Sequence, residues 1–312
     1  MSNYKHNLGF FLTSYKNDLY RAKNLVKSFH LYNKENIPLY IVLNDEDLPI
    51  FKNEMDGKNI YFVNEKEVCE RKFENGWRHQ QMLKLEFFKT KLCENYFTLD
   101  SDCIFIKDFY ISDFIAYDNI PYTIMWEDKV TELTDVKYKT DSWKDEYGRP
   151  FMDTFFKDTV RNVRSVIPNK LKKLYHYGVQ PIFNSLVLES FNENYLKANT
   201  ITVEKCIEFC PADFTWYGEY LLYTKVIDIV PSECLFLCFH SKKQYLDYIE
   251  KYTIDDLRKM FLGLVINSLF YTGPEYDELY EKSDLPIGHK WMISKSLQVK
   301  KFDGYYSFLN NK

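Results

Sequence analysis

Between residues 8 and 99 the chain twice passes from an apolar run through a helical repeat to another apolar run, and a crossover of this kind lets neighbouring strands pair in parallel. Residues 8–13 are mostly apolar, Leu19, Ala22, Leu25, Val26 and Phe29 recur at helical spacing, and residues 38–43 (PLYIVL) read as a buried strand ending in the polar stretch Asn44-Asp45-Glu46-Asp47. The second unit has a strand at 60–63, a helix over 77–92 and a strand at 96–99. The expected fold class is α/β, Rossmann-like, with a mixed, mainly parallel sheet flanked by helices.

Beyond residue 125 the pattern loosens. Residues 126–147 are polar and charged without a sustained period and are expected to loop over the active face. A helix is expected around 153–166, a strand over 179–188, helices over 192–210 and 214–223, and strands at 226–230 and 235–239. The last 70 or so residues read as helix-rich, TIDDLRKMFLGLVINSLFY being the clearest case. With no repeat, low-complexity tract or Pro/Gly/Ser linker, we expect one catalytic domain over residues 1–250 and a helical C-terminal extension, 251–312, packed on it.

Composition excludes several function classes. The 312 residues carry 41 basic and 45 acidic side chains, so the net charge of −4 excludes a polycationic nucleic-acid binder. At 46% hydrophobic and 28% charged, the chain is that of a globular protein and not a disordered one. Its 7 cysteines are odd in number and form no CxxC pair, which points to reduced thiols and a cytoplasmic setting. The N-terminal segment lacks a secretory-signal pattern, and the longest apolar stretch, residues 260–271, falls well short of the roughly 20 residues a spanning helix needs. A Lys-rich tail, Lys290, Lys295, Lys300 and Lys301, leaves peripheral contact with the inner face of an anionic membrane as an alternative to a solvated helix.

The segment richest in chemistry is NYFTLDSDCIFIK, residues 95–107. An apolar strand delivers Asp100 and Asp102 at i and i+2, and side chains two apart on an extended chain share a side. Both carboxylates are thus expected to face one crevice at the carboxyl end of a strand, where open α/β sheets bind ligands. Two anionic oxygens suit a hard divalent cation, Mn²⁺ or Mg²⁺, whose coordination a nucleoside diphosphate would complete. The bland reading is an acidic strand end in solvent; the tight apolar flanks bring the two readings level. On the preceding helix Arg78, Gln81 and Lys84, at i, i+3 and i+6, share one broad face, and a cation and an amide beside the carboxylates suit a pyrophosphate or ribose.

This strand, DxD, strand segment resembles the metal and nucleotide-sugar motif of GT-A glycosyltransferases. The helix GWRHQQMLKLEFF before it resembles an uncharacterised bacterial family of GT-A-like proteins, through Gly76, Trp77, Arg78, Gln80, Gln81, Leu83, Lys84 and Leu85. LTSYKND, with Thr13, Ser14, Tyr15 and Asp18, is similar to that family's first strand-to-helix turn, which lines the nucleotide. The likeness spans roughly residues 8–243. It implies a GT-A-like catalytic domain and a metal-dependent transferase, with a nucleotide-diphosphate sugar as donor and a glycan as acceptor, in bacterial capsule or lipooligosaccharide synthesis. By the same likeness His240, at the end of the strand in LFLCFHSKKQY, joins Asp102 and Asp100 on the metal, an imidazole favouring Mn²⁺, and Lys243 or Lys242 neutralises the departing nucleotide. An inverting transfer needs a carboxylate base; the likeness implies Glu219, with Asp213 in reserve, although Asp213 also reads as a helix N-cap. His176, Gly178 and Gln180 fall where the family would place an acceptor-contacting turn.

Three other readings compete. In a haloacid dehalogenase-like phosphatase Asp100 would be the nucleophile and Asp102 the acid/base, but Cys103 and Ile104 stand where that signature wants Thr or Val. A nucleotidylyltransferase would want a glycine-rich first turn with Arg and Lys, and LGFFLTSYKND lacks the glycine cluster and the Arg. A non-catalytic carbohydrate-binding protein would use the 26 Tyr and 25 Phe for stacking, but leaves the paired carboxylates and the strand-end histidine unexplained.

Overall fold

The computed structural model describes residues 4–55, 57–127, 151–178, 180–239, 245, 248 and 250–266, with side chains in the helix at 151–166 described from Thr159 onward. The strands are β1 (His6–Thr13), β2 (Leu39–Leu43), β3 (Ile60–Asn64), β4 (Cys93–Leu99), β5 (Cys103–Phe105), β6 (Ile115–Tyr117), β7 (Ile120–Ile124), β8 (Trp126–Glu127), β9 (Tyr175–His176), β10 (Ile182–Asn184), β11 (Val230–Ser232), β12 (Phe236–Phe239) and β13 (Gly263–Ile266). The helices are α1 (Leu19–Tyr32), α2 (Asp47–Glu54), α3 (Glu65–Val68), α4 (Gly76–Glu86), α5 (Phe151–Val166), α6 (Ser185–Ser190), α7 (Val203–Phe209), α8 (Asp213–Thr224) and α9 (Ile254–Met260).

The central five-stranded sheet has the order β10-β4-β1-β2-β3. Four strands are parallel, and β10 joins β4 antiparallel with Ile182 opposite Phe97. β1 lies between β4 and β2, with Phe10 opposite both Phe97 and Leu39, so the first two crossover units read from the sequence are the core of the sheet. Neighbouring residues of β1 face opposite sides. Phe10 enters a cluster with Phe29, Phe97, Phe105, Phe109 and Phe114, its ring 5.1 Å from that of Phe114 and edge-on to it. Phe11 faces the other layer and packs with Phe87 and Tyr96 beneath α4 and α8. Edge-to-face aromatic pairs add to plain apolar burial, which accounts for much of the high Phe and Tyr content.

Several elements differ from expectation for local reasons. The apolar run at 179–188 is strand only over Ile182–Asn184, because the Asn184 side chain accepts from Leu186 N and Val187 N and starts α6. Residues 192–210 divide into a π-helical turn, Phe191–Lys197, and α7, which is capped by Thr202. The strand expected at 226–230 lies instead at Val230–Ser232. The largest correction concerns residues 251–266. Thr253 and Asp256 form a capping box that starts α9, but the helix ends at Met260 and the chain turns into β13. β13 lies between β12 and β5, so this stretch completes a three-stranded sheet of the main body and is not a helical appendage. Gly263 permits that pairing, since a Cβ there would stand 2.1 Å from the Phe236 ring. The remainder of the expected extension, 267–312, lies outside the described residues.

Candidate active site at the carboxyl edge of the sheet

The parallel strands β1, β2, β3 and β4 all end at one edge of the sheet, and the polar segments that follow them meet there. Thr13 is the last residue of β1, paired with Val42, and Ser14 continues the line by donating its backbone N–H to Val42 O. The Ser14 Oγ lies 2.9 Å from the Ser101 Oγ, both buried, and this bond closes the exit of β1 onto the acidic turn after β4. Asn44 and Asp47, following β2, brace the same loop: Asp47 Oδ2 accepts from Lys16 N at 3.0 Å and from Asn44 Nδ2 at 2.9 Å. Tyr15 is 48% exposed on the rim.

Residues 100–102 form a turn between β4 and β5, not an extended pair. Cys103 N donates to Asp100 O at 3.0 Å, Ser101 points inward, and Asp100 and Asp102 flank it half-buried. Asp100 and Asp102 thus flank a turn and do not alternate along an extended strand. Ile266 N donates to Asp102 O at 3.1 Å and Ile266 pairs with Phe239, so the end of β12 lies one strand away from this turn. His240, Lys242 and Lys243 lie outside the described residues.

Helix α4 brings the cationic contribution. Asn75 caps it, accepting from the Arg78 backbone N–H, and leaves Arg78 near the start, half-buried. A helical side chain leans toward the N-terminus of its helix. Lys84, its carbonyl fixed by Tyr96 Oη at 2.7 Å, thus sends its stem toward the crevice, and Nζ reaches Asp100 Oδ1 at 2.8 Å with the side chain only 6% exposed. Burial alone would lower the Lys84 pKa, but the Asp100 and Asp213 carboxylates outweigh it and hold the ammonium more firmly charged than an ordinary lysine. One turn earlier, Gln81 Oε1 accepts from Asp213 N at 3.2 Å and anchors the start of α8. Asp213 is 2% exposed; burial pushes its carboxyl up to about 6, with Lys84 pulling the other way and Asp100 adding to the rise. Asp18 is also raised, chiefly by burial, against the opposing effect of its partner Arg21 at 2.6 Å. Arg21, Ser101 and Asp47 were not singled out in the sequence. Ser101 stands inside the DxD itself, whereas Arg21 and Asp47 carry no motif signal.

Glu219, expected as the base, sits in a buried hydrogen-bonded network. It is fully buried on α8, and its two oxygens accept from Arg164 Nε (2.6 Å) and Nη2 (2.9 Å), Asn169 Nδ2 (3.0 Å) and Tyr177 Oη (2.5 Å). A carboxylate so committed holds the chain together and has no open lobe for an acceptor hydroxyl. The turn at His176, Gly178 and Gln180 does reach the sheet edge. His176 stacks on Trp126 at 4.3 Å and its Nδ1 accepts from Gly178 N at 2.9 Å. Gly178 takes φ +68°, a conformation glycine adopts at little cost. Pro181 O accepts from Thr98 N, which sets Gln180 beside the end of β4.

Two carboxylates are the kind of donor a hard divalent ion would take if substrate completed its coordination. Asp100 Oδ1 is engaged by Lys84 and Asp102 Oδ1 is buried, so an ion would first meet the second oxygen of each carboxylate. Among the described residues no group of three or more His, Cys, Asp or Glu is arranged to hold a metal, so an ion there would draw further ligands from a diphosphate and water.

Residues 9–144 match the model of a family of unknown function, DUF6492, over less than half of the chain. No curated protein matches. Among solved structures, the apo form of the bifunctional glycosyltransferase WbbM is similar with TM-score 0.50 and 11% identity, over 88% of this chain and 51% of that one. The chain thus spans about half the length of WbbM. Apo mouse xyloside xylosyltransferase 1 is similar with TM-score 0.45 and 10% identity, over 84% of this chain and 98% of that one. At such identities the likeness is one of fold: a mixed α/β architecture of the GT-A type with a mainly parallel sheet and flanking helices. Among the described residues no helix is long and apolar enough to cross a membrane.

Proposed function

We propose that this protein is a glycosyltransferase that moves a sugar from a nucleotide-diphosphate donor to a glycan acceptor. The observation that carries this reading is the Ser14–Ser101 bond. It fastens the turn that would lie under a nucleotide to the turn that bears Asp100 and Asp102, so a ligand resting on the first would present its diphosphate to the second. The fold likeness to WbbM, itself a glycosyltransferase by name, supports the same class.

In this reading Asp100 and Asp102 hold Mn²⁺ or Mg²⁺, with His240 as the expected third ligand. The bound ion would neutralise charge developing on the leaving diphosphate. The chain's own groups do the rest. Thr13, Ser14 and Tyr15 line the nucleotide, Arg78 and Lys84 supply positive charge at the crevice, and Asp18 is held in place by Arg21. Lys243 is expected beside the diphosphate. The turn at His176, Gly178 and Gln180 would border the acceptor. The setting we propose is the assembly of bacterial capsule or lipooligosaccharide at the inner face of the membrane, on the GT-A-like resemblance over roughly residues 8–243.

The test is thermal stabilisation by a panel of nucleoside diphosphates with and without MnCl₂. Stabilisation that needs both components, is reversed by chelator and is lost in Asp102→Ala is the expected result. Nucleotide stabilisation that ignores metal and survives Asp102→Ala would refute the reading.

A further inference from the structure

Lys84 stands near two carboxylates and is hydrogen-bonded to one of them. Its ammonium has three N–H donors, yet among the described residues its hydrogen-bond acceptor is Asp100 Oδ1 alone. Asp213 sits across the same face of α4, tied by its backbone to Gln81 three residues before Lys84, and close enough that the ammonium and this carboxyl affect one another electrostatically. Asp213 is 2% exposed, and its Oδ2 is buried without a hydrogen-bond partner among the described residues. A buried carboxylate oxygen with no donor is costly, so its persistence asks for an occupant in another state of the protein.

The geometry points to Asp213 as the alternative seat of the Lys84 ammonium: when a divalent ion takes Asp100, Lys84 swings to Asp213 Oδ2. The inference rests on the metal reading of Asp100 and Asp102. An ammonium and a divalent ion on one half-buried carboxylate repel each other, and the lysine's flexible four-carbon stem lets the ammonium move away. Asp213 is then a positioning residue, acting through Lys84 and not on substrate. Its role is to clear Asp100 for the ion while keeping a positive charge at the crevice wall. No bond is made or broken and no proton moves in this exchange.

The experiment is a double-mutant cycle read by Mn²⁺ affinity alone, with MnCl₂ added to the metal-stripped full chain and free Mn²⁺ followed by electron paramagnetic resonance. Lys84→Met should bind Mn²⁺ more tightly than the parent, because the competing cation is gone. Asp213→Asn should bind roughly tenfold more weakly, within the usual range of coupling between sites, since Lys84 has nowhere to go. In the Lys84→Met background, Asp213→Asn should change affinity by less than about twofold. A plain field effect of Asp213 would weaken binding equally in both backgrounds, and that result overturns the inference. So does weaker binding by Lys84→Met, which decides the matter even where Asp213→Asn fails to fold. A parent protein that binds no Mn²⁺ at all would instead remove the metal reading on which the inference rests.

Discussion

The hydroxyls of Ser14 and Ser101 lie 2.9 Å apart, 87 residues distant in sequence, and join the exits of two neighbouring parallel strands. Because both are buried, removing one leaves the other without its partner, at a cost of about 1 kcal/mol. Ser101→Ala should therefore lower the urea midpoint, and the Ser14→Ala, Ser101→Ala double variant should lose less than the sum of the single losses. Additive losses would show that the two hydroxyls do not act as a pair.

Glu219 should behave as a structural anchor. Glu219→Ala leaves Arg164, whose side chain is only 9% exposed, as an uncompensated charge, and the expected loss is about 3–5 kcal/mol of stability. The same guanidinium holds the carbonyls of Leu171 and Lys173, so proteolysis near residues 169–178 should quicken in the variant. A fully stable Glu219→Ala protein without transferase activity would return the residue to the role of base.

Asp102→Ala should leave the urea midpoint almost unchanged, since the side chain is half-buried at the crevice and the loss is expected to stay within about 1 kcal/mol. The same variant should lose the metal-dependent part of nucleotide binding, which titration calorimetry can separate from any metal-independent part. A large fall in stability would mean that the carboxylate belongs to the scaffold.

Asp213 gives a pH signature of definite sign. Its folded pKa, about 6, stands above the ordinary 3.8, so the native state holds this proton more tightly than the unfolded chain does. The group's contribution to stability therefore falls as pH rises from 3.8 to about 6 and is constant above that. Against the parent, Asp213→Asn should look better in urea melts at about pH 7 than at about pH 4. The opposite slope would show that pairing with Lys84 outweighs burial.

The thiols should be quiet in the native protein. Cys93, Cys103, Cys206 and Cys210 are buried, and burial pushes Cys206 and Cys210 up to about 12, leaving almost no thiolate at neutral pH. Native-state titration with a chromogenic disulfide should modify Cys69, Cys234 and Cys238 first, the remaining four responding only on unfolding.

Which parts could be read from the chain follows from the range of the interactions. α1 was legible from its one periodic apolar face, and β1 and β2 from short continuous apolar runs, because each of these signals is local. The helical reading failed over 263–266 because Gly263 accepts the Phe236 ring, a contact 27 residues away that no helical period records. The Lys84 and Asp100 partnership was half visible: the types and their neighbourhood stood in the sequence, but the lysine was expected to serve a phosphate and it meets the carboxylate. The surroundings of Glu219 could not be read from the chain, because its partners Arg164, Asn169 and Tyr177 all come from positions 42 or more residues away.

By itself the sequence determined a parallel α/β sheet and an acidic segment at the end of a central strand, since apolar runs and helical repeats are local properties that backbone geometry turns directly into strands and helices. Only the tertiary structure decided which charges neutralise one another. Burial multiplies the worth of a neighbouring charge, and which carboxylate lies against which cation is fixed by side chains that the chain brings together from distant segments.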